Sequence, residues 1–293
     1  MSAGVPVDVL ARVGCVLAEG PIWDADRAVV LWTDIYAGQV WECALDGEPR
    51  VVAEHHESIG AIALAATGEL LGFTPTGLWR LDGQPALLVV NPEAEPGLRA
   101  NDGKPDPAGR FVGGTMGFPR PVPGAGTLWS FDAGEVRPLL RGVTISNGLA
   151  WSADGATMYY VDTPTQQVRA FAYDVATGGL GDGRVFAEVD RADGEPDGIT
   201  IDAEGGVWVA LWGGAKLHRY GADGALTAVV PTPVDYPTCP VFVGPALDRM
   251  VVTSATEAYP AGWAPVGAGD VYVCEPGVAG VMADRVDLVQ PGL

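Results

Sequence analysis

The chain has 293 residues, close to half of them hydrophobic, which is enough for two average domains or one large all-β domain with a well-filled core. Its formal charge of −20 argues against nucleic acid as a partner, because phosphates require Lys and Arg patches, and disfavours anionic membrane surfaces. An acidic surface favours solubility, and some of the carboxylates are free to gather on a cation.

Residues 1–6 lack a charged stretch followed by an apolar run, and no segment reaches membrane-spanning length, so a cytoplasmic protein is expected. Glycine (41) and proline (24) recur between short apolar runs along the whole chain, as expected of many strands joined by many turns. No linker or low-complexity tract divides the sequence, so residues 1–293 read as one domain. Cys15, Cys43, Cys239 and Cys274 are scattered without a C-x-x-C pair and are expected as buried free thiols.

A repeat organises the rest. The first copy runs from Trp23-Asp24-Ala25-Asp26-Arg27 into the apolar residues 28–34 and a third strand at 39–43, closed by Asp46-Gly47. The second has its turn at 65–69 and strands at 70–73 and 77–81, then Asp82-Gly83. The third has a turn at 106–110 and strands at 111–114 and 127–131; the fourth has 151–155, then 156–162 and 167–171. The fifth has 201–206, then 207–210 and 216–220, and Asp223-Gly224; the sixth has 245–249, then 250–253 and 270–274.

Asp-Gly dipeptides are strong hairpin signals. Copies spaced by roughly 40–50 residues match four-stranded propeller blades. The predicted fold is therefore an all-β, six-bladed β-propeller with a central metal site. Trp41, Trp79 and Trp129 are expected between blades, and a strand near 7–13 is expected to complete the last blade and close the ring.

The informative positions precede the first strand of each blade. They read Glu19-Gly20, Gly60 without an acid before it, Asp102-Gly103, Asn147-Gly148, Asp197-Gly198, and Cys239-Pro240 without the glycine. This x-Gly register predicts that Glu19, Asp102, Asn147 and Asp197 occupy equivalent points around the channel, each followed by a glycine that permits a tight backbone. One such pair alone is an ordinary turn with a local cap. Three converging carboxylates and an amide need a compensating charge, and oxygen donors suit Ca²⁺, Mg²⁺ or Mn²⁺. Only three histidines are present; His55-His56 reads as a loop pair and His218 as structural, which leaves little material for a His-based triad or zinc site.

At these residues the chain resembles the regucalcin (senescence marker protein)/gluconolactonase family, over nearly its whole length. The likeness rests on Glu19-Gly20-Pro21, on Arg99-Ala100-Asn101-Asp102-Gly103-Lys104, on Gly114-Thr115-Met116, on Ser146-Asn147-Gly148 and on Pro196-Asp197-Gly198. The resemblance implies a metal-dependent lactonase with Glu19, Asn147 and Asp197 as ligands of one divalent ion. Ca²⁺ comes first, with Mg²⁺, Mn²⁺ or Zn²⁺ as alternatives. It further implies that Asp197 doubles as catalytic acid/base and that Arg99 and Asn101 contact a small lactone substrate, foremost a sugar lactone. Asp102, which the repeat adds, is expected beside the metal, through water or behind its ligands.

One departure bears on the substrate. After Gly114-Thr115-Met116 many relatives place an acid, whereas here Gly117-Phe118-Pro119-Arg120 follows, making Phe118 a substrate-contacting residue of apolar character. The alternatives are another reaction on the same metal, such as an esterase or a specialised-metabolism cyclase, or a non-enzymatic metal-binding propeller. No partner protein is indicated, and a monomer or weak oligomer is expected.

Overall fold

The structure, a computed structural model, describes residues 5–132 and 135–287. Residues 1–4, part of the segment read for a leader, lie outside them. Six four-stranded antiparallel sheets account for every strand of the described residues, with only two three-residue 3₁₀ turns between them. This is the predicted six-bladed β-propeller. No helix of the described residues is long and apolar enough to cross a membrane.

Blade one comprises Ala18–Asp24, Val29–Asp34, Gln39–Ala44 and Arg50–Glu54. Blade two comprises Ala61–Leu64, Leu70–Thr74, Gly77–Arg80 and Ala86–Val90; blade three Leu98–Pro105, Phe111–Gly117, Gly126–Asp132 and Glu135–Val143. Blade four comprises Ser146–Trp151, Thr157–Asp162, Gln167–Asp174 and Gly179–Glu188; blade five Glu195–Ile201, Val207–Trp212, Lys216–Tyr220 and Leu226–Pro231. Blade six takes Pro237–Val243, Arg249–Ser254 and Val271–Cys274 from the end of the chain. Its outer strand is Val7–Ala11, paired antiparallel with Val271–Cys274. The ring closes as expected, by joining the two ends of the chain in one sheet.

A blade is apolar on both faces, so it buries them only against neighbours. Each blade boundary has its own apolar cluster. Val40, Ile59, Ile62 and Leu70 join blades one and two, for example, while Val161, Ile199, Val207 and Leu211 join four and five. Trp79 and Trp129 lie in the clusters on either side of blade two, and Trp41 packs toward blade six while stacking on Trp32 at 6.4 Å. All four cysteines are buried and free.

Aspartates tie the loops at both ends of the channel. At the upper end Asp34, Asp162 and Asp270 accept the N–H groups of Leu17, Ile145 and Val13, which lie on connections between blades. At the lower end Asp24, Asp106 and Asp202 accept N–H groups of the tight turns that the repeat marked. The C-terminal segment straps this lower end. Gly280 donates to Leu247 O, Ala66 to Val286 O, and Asp287 to Gly109 O, so one extended stretch links blades six, two and three.

Candidate metal centre and channel mouth

Innermost strands pair with their neighbours at a fixed register that a bulge interrupts in five of the six blades. Between Glu19 and Ile22, Ala100 and Gly103, Ser146 and Leu149, Pro196 and Ile199, and Pro237 and Pro240, the inner strand has one residue more than its partner. A bulge bends the strand and re-aims its side chains. Here the bulges stand at the upper end of the channel, where the candidate residues lie.

The x-Gly register is met only in part. Glu19, Asn147 and Asp197 sit at the same ladder position, each directly following a paired residue (Ala18 opposite Asp34, Ser146 opposite Asp162, Pro196 opposite Leu211). In blade three that position belongs to Asn101, with Asp102 one step later. Blade six has Thr238 there, not Cys239. The glycines also act differently from expectation. Gly20 has a left-handed φ of +52°, but Gly103, Gly148 and Gly198 do not adopt positive φ. Space is what they provide: a Cβ on Gly148 would stand 2.6 Å from Asp197 O, and one on Gly198 2.5 Å from Cys239 Sγ.

Glu19, Asp102, Asn147 and Asp197 are all buried. Glu19 Oε2 accepts from Gly20 N at 2.7 Å and Asp102 Oδ1 from Gly103 N at 2.7 Å. Asn147 Nδ2 donates to Thr163 Oγ1 at 3.0 Å, and that hydroxyl donates to Pro196 O at 2.9 Å. The chain from Thr163 orients the amide, and Asn147 Oδ1 and Asp102 Oδ2 are left buried without a hydrogen-bond partner among the described residues.

The carboxylates feel one another. Burial first, and then the Asp102 charge, pushes the Glu19 carboxyl up to about 8. Burial followed by Glu19 and Asp102 raises Asp197 well above the usual carboxylate range, and burial raises Asp102. Orphaned oxygens and crowded acids of this kind fit a bound cation, with Glu19, Asn147 and Asp197 able to hold it and hard oxygen donors favouring Ca²⁺, Mg²⁺ or Mn²⁺.

Arg99 and Asn101 stand beside this group but are engaged with the scaffold. Arg99 Nη1 donates to Asn101 Oδ1 at 2.5 Å and to Ala100 O at 2.9 Å, and Asn101 Nδ2 donates to Ser146 O at 2.7 Å. The guanidinium lies over the Tyr36 ring at 5.5 Å. Tyr36 in turn meets Phe118 at 6.1 Å between ring centroids, and Phe118 is 44% exposed. Glu257 faces the Tyr36 hydroxyl and is within reach of the Arg99 charge.

Sequence reasoning missed Tyr36 and Glu257, since both lie on connections outside the repeat. It also gave Lys104 no role, although the residue stood within the quoted Asp102-Gly103-Lys104.

Two other places were candidates for chemistry. His55, His56 and Glu57 bring potential ligand atoms within 4.8 Å of one another on the loop between blades one and two. His55 Nδ1 already accepts from Glu57 N at 3.2 Å, and its Nε2 is buried, so this ring turns no lone pair outward. His218 is structural, sharing a 3.0 Å hydrogen bond with Tyr220. At the lower end, between Trp23, Trp151, Phe242 and the C-terminal strap, lies a cavity of about 560 Å³. Among the described residues, this cavity brings together none of Glu19, Asn147 and Asp197, which lie at the upper end.

Residues 17–256 match the family described as SMP-30/Gluconolactonase/LRE-like region. The chain is 34% identical to regucalcin of Xenopus laevis over 258 residues, 84% of this chain and 86% of that protein. It is 33% identical to pentonolactonase XacC of Haloferax volcanii over 247 residues, 82% of each. Among solved structures, a calcium-binding protein, regucalcin, from Agrobacterium tumefaciens superposes with a TM-score of 0.91 at 31% identity, covering 97% of this chain and 98% of that one.

Proposed function

The chain belongs to the SMP-30/gluconolactonase/LRE-like family, and from that premise we propose that it is a divalent-metal-dependent lactonase. Its first substrate class is the small sugar lactones, as the name of the Haloferax relative suggests. The observation that carries this reading is the buried trio Glu19, Asp102 and Asp197 around an unpartnered Asn147 Oδ1. Ca²⁺ is the first choice of ion, in keeping with the calcium-binding description of the Agrobacterium structure. The reading takes residues 1–293 as one propeller domain, acting in the cytoplasm as a monomer or weak oligomer.

Glu19, Asn147 and Asp197 would hold the cation, and Asp102 would stand behind them. When bound, the cation supplies the positive charge that polarises the lactone carbonyl and offsets the carboxylates. Asp197 takes a proton from the water that attacks the carbonyl carbon. The ring C–O bond then breaks, and the same carboxyl returns the proton to the departing ring oxygen, leaving a hydroxy acid. Arg99, steadied by Asn101 and Tyr36, keeps part of its guanidinium fork for substrate oxygens.

A second reading has its own observation. Phe118 and Tyr36 give the mouth an aromatic side, which favours a lactone or ester with an apolar arm, or a related conversion on the same metal.

The test is turnover of sugar, aliphatic and aryl lactones by protein stripped with chelator and refilled separately with Ca²⁺, Mg²⁺, Mn²⁺ and Zn²⁺. The reading expects turnover to return with metal and to fall on the order of 10³-fold in Asp197→Ala. Turnover indifferent to chelation and to Asp197→Ala would sink it.

A further inference from the structure

Lys104 belongs to the same inner strand as Asp102, two residues further down. Its Nζ crosses the channel and donates to the carbonyl oxygen of Ile199 at 2.5 Å, and Ile199 is itself two residues below Asp197. Two strand residues span about 6.8 Å, so the backbone of Lys104 and the Ile199 carbonyl that holds its ammonium both lie beneath the carboxylates, in blades three and five. It makes no ion pair within 4.0 Å with any described carboxylate, so its influence on the acids acts through space. Burial and crowding push the acids up, and the Lys104 charge opposes this at both Glu19 and Asp102.

The surroundings give that charge weight. Glu19, Asp102 and Asp197 each are no more than 6% exposed, and Arg99 is the other cation that acts on Glu19. Once a divalent ion has displaced the protons that burial keeps on these acids, three carboxylates face Lys104 and Arg99 as the nearby positive charges. An interior effective dielectric of about 20 makes a unit charge at this range worth more than tenfold in the affinity of a divalent ion.

We propose that Lys104 is the built-in counter-cation of the carboxylate group: held on the Ile199 carbonyl, its ammonium keeps the acids together without metal and loosens their hold on a divalent ion. The proposal rests on the reading of this site as a divalent-metal centre. It makes Lys104 a positioning and tuning residue that touches neither substrate nor metal. A bound cation meets a site already part-compensated, so it exchanges instead of being locked in.

Three substitutions separate charge from hydrogen bonding. Lys104→Gln keeps an N–H donor for Ile199 O and removes the charge, Lys104→Arg keeps both, and Lys104→Gln with Asp102→Asn removes one charge of each sign. Calorimetric titration with Ca²⁺ and Mn²⁺ is expected to show Kd at least tenfold lower for Lys104→Gln and within about threefold of the parent for Lys104→Arg. In excess chelator, Lys104→Gln is expected to melt below the parent, with saturating metal closing the gap and the double variant recovering most of it.

Unchanged or weaker binding by Lys104→Gln, with an equal loss of Tm in chelator and in metal, would overturn the proposal in favour of a packing role. Should the parent bind no divalent ion, the metal reading itself fails. Melting in chelator then still decides the counter-charge: Lys104→Gln below both parent and Lys104→Arg upholds it, and equal melting of all three refutes it.

Discussion

Asn101 Nδ2 donates to the carbonyl oxygen of Ser146 at 2.7 Å, so the side chain marked for substrate contact also ties blade three to blade four, next to Asn147. Its Oδ1 meanwhile holds Arg99. Asn101→Ala leaves a buried carbonyl and a buried guanidinium each short of a partner. Loss of about 1–3 kcal/mol in urea unfolding is expected, together with weaker substrate binding. A stability change below about 0.5 kcal/mol would show that this bond does not hold the blades.

Glu19 carries the pH dependence. Its carboxyl is raised from an ordinary 4.5 to about 8 by burial and then by Asp102. Between these values the metal-free native chain keeps a proton that the unfolded chain has released. Its stability therefore falls as pH rises through that window, and the decline levels off above about 8. A cation must displace the proton, so its affinity rises with pH over the same window, by about tenfold per unit for each proton displaced. Calorimetric titrations between pH 5.5 and 8.5 check this; an affinity independent of pH would mean that the acids are already ionised.

Phe118 is 44% exposed and packs on Tyr36, so it can be cut back without opening the core. Phe118→Ala should cost less than about 1 kcal/mol of stability. It should also raise KM for aryl lactones by about tenfold, while KM for a sugar lactone changes little. Equal effects on both substrates would place Phe118 outside the substrate's path.

Gly148 is required for room. An alanine Cβ would meet Asp197 O and Ile199 N at 2.6 Å, and both are backbone atoms that cannot swing away. Gly148→Ala is expected to lower stability by about 1–3 kcal/mol and to weaken divalent binding, because it pushes the Asp197 bulge from its place. Thermal unfolding in chelator and in metal separates the two effects, and a variant that matches the parent in both would contradict the close approach of these strands.

The blade pattern was readable because each blade is a local object. Its strands follow one another in sequence, its turns carry Asp and Gly at fixed offsets, and its apolar runs repeat; the closing strand Val7–Ala11 was visible by the same logic. The polar residues of the channel were visible as a group, since Glu19, Asn147 and Asp197 stand at the second or third residue of their inner strands and Asp102 midway along its own. The offset of Asp102 was not, because blade three puts Asn101 at the position that Glu19, Asn147 and Asp197 share, and an x-Gly motif does not reveal such a one-residue shift at a bulge.

By itself, then, the sequence determined the six-fold repeat, the neighbourhood of the acids and the oxygen-rich chemistry available there. Only the tertiary structure decided which carboxylates are consumed by the scaffold, as Asp34, Asp162 and Asp270 are, and which are left facing one another. It also decided that Tyr36 and Glu257 share the mouth with Arg99, and that Lys104 reaches Ile199 across the channel. The physical reason is that closing the ring brings together groups far apart in sequence. Burial then makes the balance of charge and hydrogen bonding among those groups decisive, and no local pattern records that balance.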